Sequence, residues 1–98
     1  MKASARHILV SDKKLCQNIK KEIESGAEFS LMASKHSQCP SASRGGELGI
    51  FRKGMMVEAF DEVVFSQPLK VVHGPVKTSF GYHLIEIIER EESVPETV

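Results

Sequence analysis

The run at residues 82–89, YHLIEIIE, is the strongest strand signal in the chain, and any fold has to accommodate it. β-Branched and aromatic residues dominate it, and alternation places His83, Ile85 and Ile87 on one side. Residues 78–81, TSFG, read as its entry turn. Before them, residues 71–76 form an interrupted strand whose Gly74 and Pro75 suit a sheet edge rather than a central ladder. The chain therefore ends in a hairpin and must supply further strands to cover it.

Residues 5–10 alternate as such a strand, with His7 and Leu9 on one side and Ile8 and Val10 on the other. Ser11 or Asp12 then offers an N-cap oxygen, and Leu15, Ile19 and Ile23 recur every four residues until Gly26 stops the helix. Cys16 falls at the edge of that stripe and reads as a small buried hydrophobe. A shorter helix follows, with Phe29, Met32, Ala33 and His36 on one face, which makes His36 a core or hydrogen-bonded histidine rather than a ligand. Pro40 fits the first position of a helical turn through Ser43, closed by Gly45 and Gly46. Residues 47–51 form a short strand with Leu48 and Ile50 facing opposite to Phe51. Gly54 then reverses the chain into a helix carrying Met56, Phe60 and Val64, with Val57 and Phe65 anchoring its other side, until Gln67 and Pro68 end it.

The order is β, three helical pieces, β, α, β, β. Strands separated by helices and finished by a hairpin predict an α+β domain with a four-stranded, mainly antiparallel sheet flanked by about four helices. A chain of 98 residues supports one core, so residues 1–90 are expected to form a single domain. Residues 91–98, with three acids and a proline, are expected to be a disordered acidic tail.

Thirteen basic and thirteen acidic residues leave no net charge. Lys2, Arg6, Lys13, Lys14, Lys20 and Lys21 crowd the first quarter, but interleaved acids make them a solvated helix face, so neither nucleic acid nor membrane is an expected partner. No apolar run resembles a signal peptide or a membrane span, and the two cysteines are too few for a disulfide framework. The expectation is a cytoplasmic monomer with reduced thiols, although a domain cut from a larger exported protein would read the same way.

The chemistry concentrates in residues 39–60. Met56 and Phe60 lie four apart, which on a helix is one shared face, and Cys39 delivers a thiol to the rim of the small apolar socket they would make. Spacing alone leaves Leu48, Met56 and Phe60 equally open to being core residues. A hydrolase or metal site built on Cys39 with His36, His7 or His83 is the competing reading, and it is poorly supported. No second cysteine stands nearby, and no acid lies at recognised ligand spacing.

Five blocks in order, HILV (residues 7–10), HSQCPS (36–41), RGGELGIF (44–51), GMMVEAF (54–60) and TSFGYHLIEI (78–87), resemble the parvulin family of peptidyl-prolyl isomerases over residues 5–90. The resemblance implies a parvulin/FKBP-like sheet with the first and last strands adjacent at its centre, making His7 and His83 neighbours. It implies catalysis of rotation about Xaa-Pro bonds in exposed or unfolded segments, assisting protein folding, without metal or cofactor. His7, Cys39, Thr78 and His83 match the family's polar cluster, with the thiol in an electrostatic role because rotation needs no nucleophile. Leu48, Met56 and Phe60 match its proline socket and Phe80 its rim, with Ser41 and Gln38 as weaker candidates. Phosphate-directed members carry an arginine-rich insertion after the first strand. Here that join is only SDKK, so the expected partners are unphosphorylated proline-containing peptides or unfolded proteins. A peptide-holding module that uses the same groove without turnover is the alternative.

Overall fold

A computed structural model describes residues 1–91; the expected acidic tail lies, apart from Glu91, outside the described residues. The elements are β1 (Lys2–Val10), α1 (Lys13–Glu24), α2 (Phe29–His36), a 3-10 turn (Pro40–Arg44), β2 (Glu47–Arg52), α3 (Glu58–Val64), β3 (Val72–Thr78) and β4 (Gly81–Arg90). Among the described residues the flanking helices number three, with the turn in place of a fourth. The sheet is antiparallel in the order β2-β1-β4-β3, so the first and last strands pair at its centre. β3, with Gly74 and Pro75, is an edge as its composition demands.

Alternation along the two central strands gives the sheet two buried faces. Ile8, Val10 and Leu84 point to one side and pack with Cys16 and Ile19 of α1 and Phe29, Met32 and Ala33 of α2. Ala3, Ala5, Ile85 and Ile87 point to the other and pack with Phe51 of β2 and Phe60 and Val64 of α3. On the first side Arg6 faces Glu86 across the ladder, its Nε donating to Oε1 at 2.6 Å, and its guanidinium lies 4.6 Å from the centroid of the Phe29 ring. The helices are closed locally. Asp12 caps α1 by accepting the Leu15 amide, while Arg90 Nη1 donates to Val64 O and Gln67 O at the end of α3.

Four expectations need correction. The buried face of α1 centres on Cys16 and Ile19, while Leu15 lies on the exposed border of its stripe. His36 closes the α2 stripe but is only half-buried. In β2, Leu48 packs on the same side as Phe51, not opposite to it, whereas Ile50 is 76% exposed. An extra residue causes this: Ser4 pairs Ile50 but Arg6 pairs Glu47, so the strand bulges around Gly49, whose φ is +74°. Finally, α3 starts at Glu58, so Met56 precedes the helix, and Val57 is its N-cap residue rather than an anchor in the core.

The turn after Pro40–Arg44 fixes how closely the chain can return to β1. The Gly46 carbonyl accepts the His7 amide at 2.9 Å, and a Cβ on Gly46 would sit 2.4 Å from the His7 carbonyl oxygen at a φ of +88°. Both the left-handed backbone and the contact exclude a side chain. Gly46→Ala should therefore cost about 2–4 kcal/mol of stability, more than an ordinary loop substitution, read as a lower urea midpoint with unchanged slope.

Candidate active site

The two central strands bring together residues distant in sequence. His7 is opposite Ile85 and His83 is opposite Leu9, which makes the histidines diagonal neighbours on the α3 side of the sheet. Their Nδ1 atoms are 3.0 Å apart and their rings stack at 19°, with exposures of 5% and 4%. Thr78, at the base of the two-residue hairpin formed by Ser79 and Phe80, places Oγ1 2.7 Å from His83 Nε2 and accepts the Phe80 amide at 3.1 Å. One protonation pattern leaves the fewest groups unmatched. Thr78 donates to His83 Nε2, His83 Nδ1–H donates to His7 Nδ1, and only His7 Nε2–H is left without a partner among the described residues. In the reverse pattern the threonine proton is unmatched as well.

Above the pair lies a cavity of about 420 Å³ with almost entirely apolar walls. His7, His83 and Cys39 line it together with the expected socket residues Leu48, Met56 and Phe60 and the rim residue Phe80, which is 66% exposed. Phe60 meets both histidines edge-on, at 5.5 and 5.6 Å between ring centroids. The structure thus gathers seven of the eight predicted residues around one space, while Thr78 reaches it through His83. Met56 arrives from the loop rather than from the helix face that its spacing suggested. Ser41 is buried, its hydroxyl has no partner among the described residues, and it does not line the cavity, whereas Gln38 does.

Sequence reasoning missed Leu9, Pro40 and Val57, which also line the cavity. Leu9 was legible, since alternation already put it beside His7. It also missed Ser37, whose Oγ accepts the amides of Leu9 at 3.0 Å and Cys39 at 3.4 Å while the Gln38 amide donates to Leu9 O. Those bonds fasten the cysteine segment to the end of β1. A serine two residues before Cys39 was the available signal, because serine hydroxyls close such turns.

Burial sets the electrostatics. Desolvation first, and the charge of His83 second, lower the His7 pKa from 6.5 to about 4, and desolvation lowers that of His83. Both shifts favour the neutral rings, and the shared hydrogen bond excludes protonating both: two imidazoliums would set N–H against N–H. Burial also pushes the core thiol of Cys16 up to about 11, which leaves it inert.

Between pH 6.5 and 4 the unfolded chain binds a proton that folded His7 refuses, so stability is fully present above 6.5 and falls as pH drops through this window. Going from pH 7 to pH 5 should cost about 2 kcal/mol from His7 alone. Urea melts at the two pH values check this, and His7→Gln should flatten the dependence.

Comparison with known proteins agrees with this geometry. The family model described as the PPIC-type PPIase domain matches residues 2–91. The foldase protein PrsA of Geobacillus sp. (strain WCH70) is 41% identical over 96% of this chain and 34% of its own length, and that of Bacillus subtilis is 43% identical over 90% and 30%. The chain spans about a third of the length of these curated relatives. Among solved structures, the peptidylprolyl isomerase PrsA from Bacillus anthracis superposes with a TM-score of 0.91 at 34% identity, covering 96% of this chain and 44% of that one. NmPin, the parvulin of Nitrosopumilus maritimus, gives 0.80 at 38% identity, covering 89% of this chain and 95% of its own. The match runs through every strand of the sheet and every block around the cavity: the chain belongs to the PPIC-type peptidyl-prolyl isomerases, the parvulins.

Proposed function

We propose that residues 1–90 form a self-contained peptidyl-prolyl cis/trans isomerase domain acting on exposed, unphosphorylated Xaa-Pro segments of unfolded chains. The observation that carries the reading is the dry cavity in which Leu48, Met56 and Phe60 stand over Cys39 and the histidine pair. The planar amide is dipolar because its nitrogen lone pair is delocalised, and the barrier to rotation, about 18–20 kcal/mol, is the loss of that resonance. Water stabilises the dipolar planar form more than the twisted one. Walls of Leu48, Met56 and Phe60 remove that water, and gripping the proline ring leaves the acyl side free to turn. Cys39, half-buried at the rim, offers a weak donor and acceptor near the turning carbonyl without forming a covalent bond. The neutral His7–His83–Thr78 chain holds the floor rigid.

Preference for unphosphorylated segments is supported by the join between β1 and α1. It consists of Ser11 and Asp12, and the Asp12 carboxylate is engaged as the helix cap. A phosphate dianion would meet a carboxylate there instead of an arginine cluster.

Cis-to-trans rates of short Xaa-Pro peptides test the proposal. Wild type should accelerate them, Phe60→Ala should lower kcat/KM by about a hundredfold or more, and Cys39→Ala by about tenfold, with circular dichroism showing both variants folded. A phosphorylated Ser-Pro peptide should react more slowly than its plain counterpart. Rates at the uncatalysed value with wild type would defeat the isomerase reading.

A further inference from the structure

Met56 presents a problem of position. It lies outside α3, in a loop that begins at a Gly54 with φ of +98°, and α3 has no side-chain cap at Val57. It also stands between two spaces, the 420 Å³ cavity over the histidines and a broader one of about 980 Å³ bounded by Lys53, Gly54, Asp61 and Phe65. A flexible thioether there has room to leave the socket. Among the described residues one side-chain bond ties this loop to α3: the Gly54 amide donates to Asp61 Oδ2 at 2.5 Å. Asp61 is only 7% exposed, and its Oδ1 has no partner among the described residues. Burying a carboxylate with half its acceptors unmatched is costly, and burial of this kind persists where the bond that remains is needed.

We infer that Asp61 is a positioning residue, a latch that holds residues 54–57 against α3 so that Met56 stays opposite Phe60 in the proline socket. Its carboxylate replaces the missing helical turn: with Gly54 fastened to the residue next to Phe60, the loop delivers Met56 to the wall that a continuous helix would have given it. Cβ substitution space is not what Gly54 provides, since nothing lies within 4 Å of a Cβ built there; what it provides is the left-handed turn and the amide.

This deepens the isomerase reading and, in its kinetic part, rests on it. The test uses methyl-labelled methionine in the full chain together with peptide isomerisation. In Asp61→Ala the Met56 methyl resonance should shift and sharpen toward that of a mobile side chain while Met32, on the other face of the sheet, stays in place. KM should rise about tenfold with kcat within about twofold, because the Met56 contact to the proline ring is the same in planar and twisted forms while Leu48 and Phe60 still exclude water. Asp61→Asn, which keeps an oxygen for the Gly54 amide, should restore both readouts most of the way. Asp61→Leu, which keeps the volume and loses the acceptor, should behave like Asp61→Ala and serves if the alanine variant does not fold. In a Met56→Ala background the effect of Asp61→Leu on KM should vanish. An unmoved Met56 resonance in a folded Asp61 variant, or a KM effect that persists in full without the Met56 side chain, would overturn the inference. The resonance is read without turnover, so an inactive wild type would defeat the isomerase reading alone and leave the latch to be decided by the spectrum.

Discussion

Everything at the site depends on β1 pairing with β4, the two strands that lie farthest apart along the chain. Side chains alternate with a period of two, so a slip of one residue in this register would turn the face bearing His7 against the one bearing Leu84, and no cavity would have a histidine floor. Several contacts pin the register at once. Arg6 meets Glu86 on the helix side, the histidine ring pair meets on the other, and Gly46 touches the backbone of His7 from outside. Each is modest alone. Together they penalise every alternative pairing, which is how a small sheet obtains a single register.

The sequence made the strands, the stripes and most of the site legible because these follow from local periodicity. His83, Ile85 and Ile87 share a face in the structure because alternation requires it, and Pro40 opens a helical turn because its φ is already suited to one. The adjacency of His7 and His83 came from the family resemblance, since no local rule pairs strands separated by seventy residues. What escaped was set by single residues that break a period. Gly49 adds one residue to β2 and turns Leu48 onto the face of Phe51, and the start of α3 at Glu58 leaves Met56 in a loop. In both places the side chain reaches the predicted space by a route that the pattern could not reveal. Ser37 and Asp61 escaped for another reason, since a hydroxyl or carboxylate bonded to a backbone amide looks in sequence like any other polar residue.

The polar part of the site is held neutral by its surroundings. Burial removes charge from both histidines, their mutual hydrogen bond needs at least one unprotonated nitrogen, and Phe60 packs edge-on against the two rings. A charged pair here would draw water into the cavity and raise its effective dielectric. The neutral chain from Thr78 to His7 instead gives hydrogen-bond rigidity without an ion, which fits the proposed role of the cavity in disfavouring a dipolar amide.

The sheet also acts as a partition. The cluster built on α1 and α2 shares no side chain with the cluster that gives Leu48, Met56 and Phe60 to the cavity, and besides the strands the two layers meet where α2 packs on the 3-10 turn and Ser34 donates to Ala42 O. Substitutions in α1 are therefore separated from the cavity by the thickness of the sheet. A lineage could rewrite that outer helix to suit a new temperature, neighbour or tether while inheriting the cavity unchanged, so that one layer of the domain is free to record its history while the other keeps its shape.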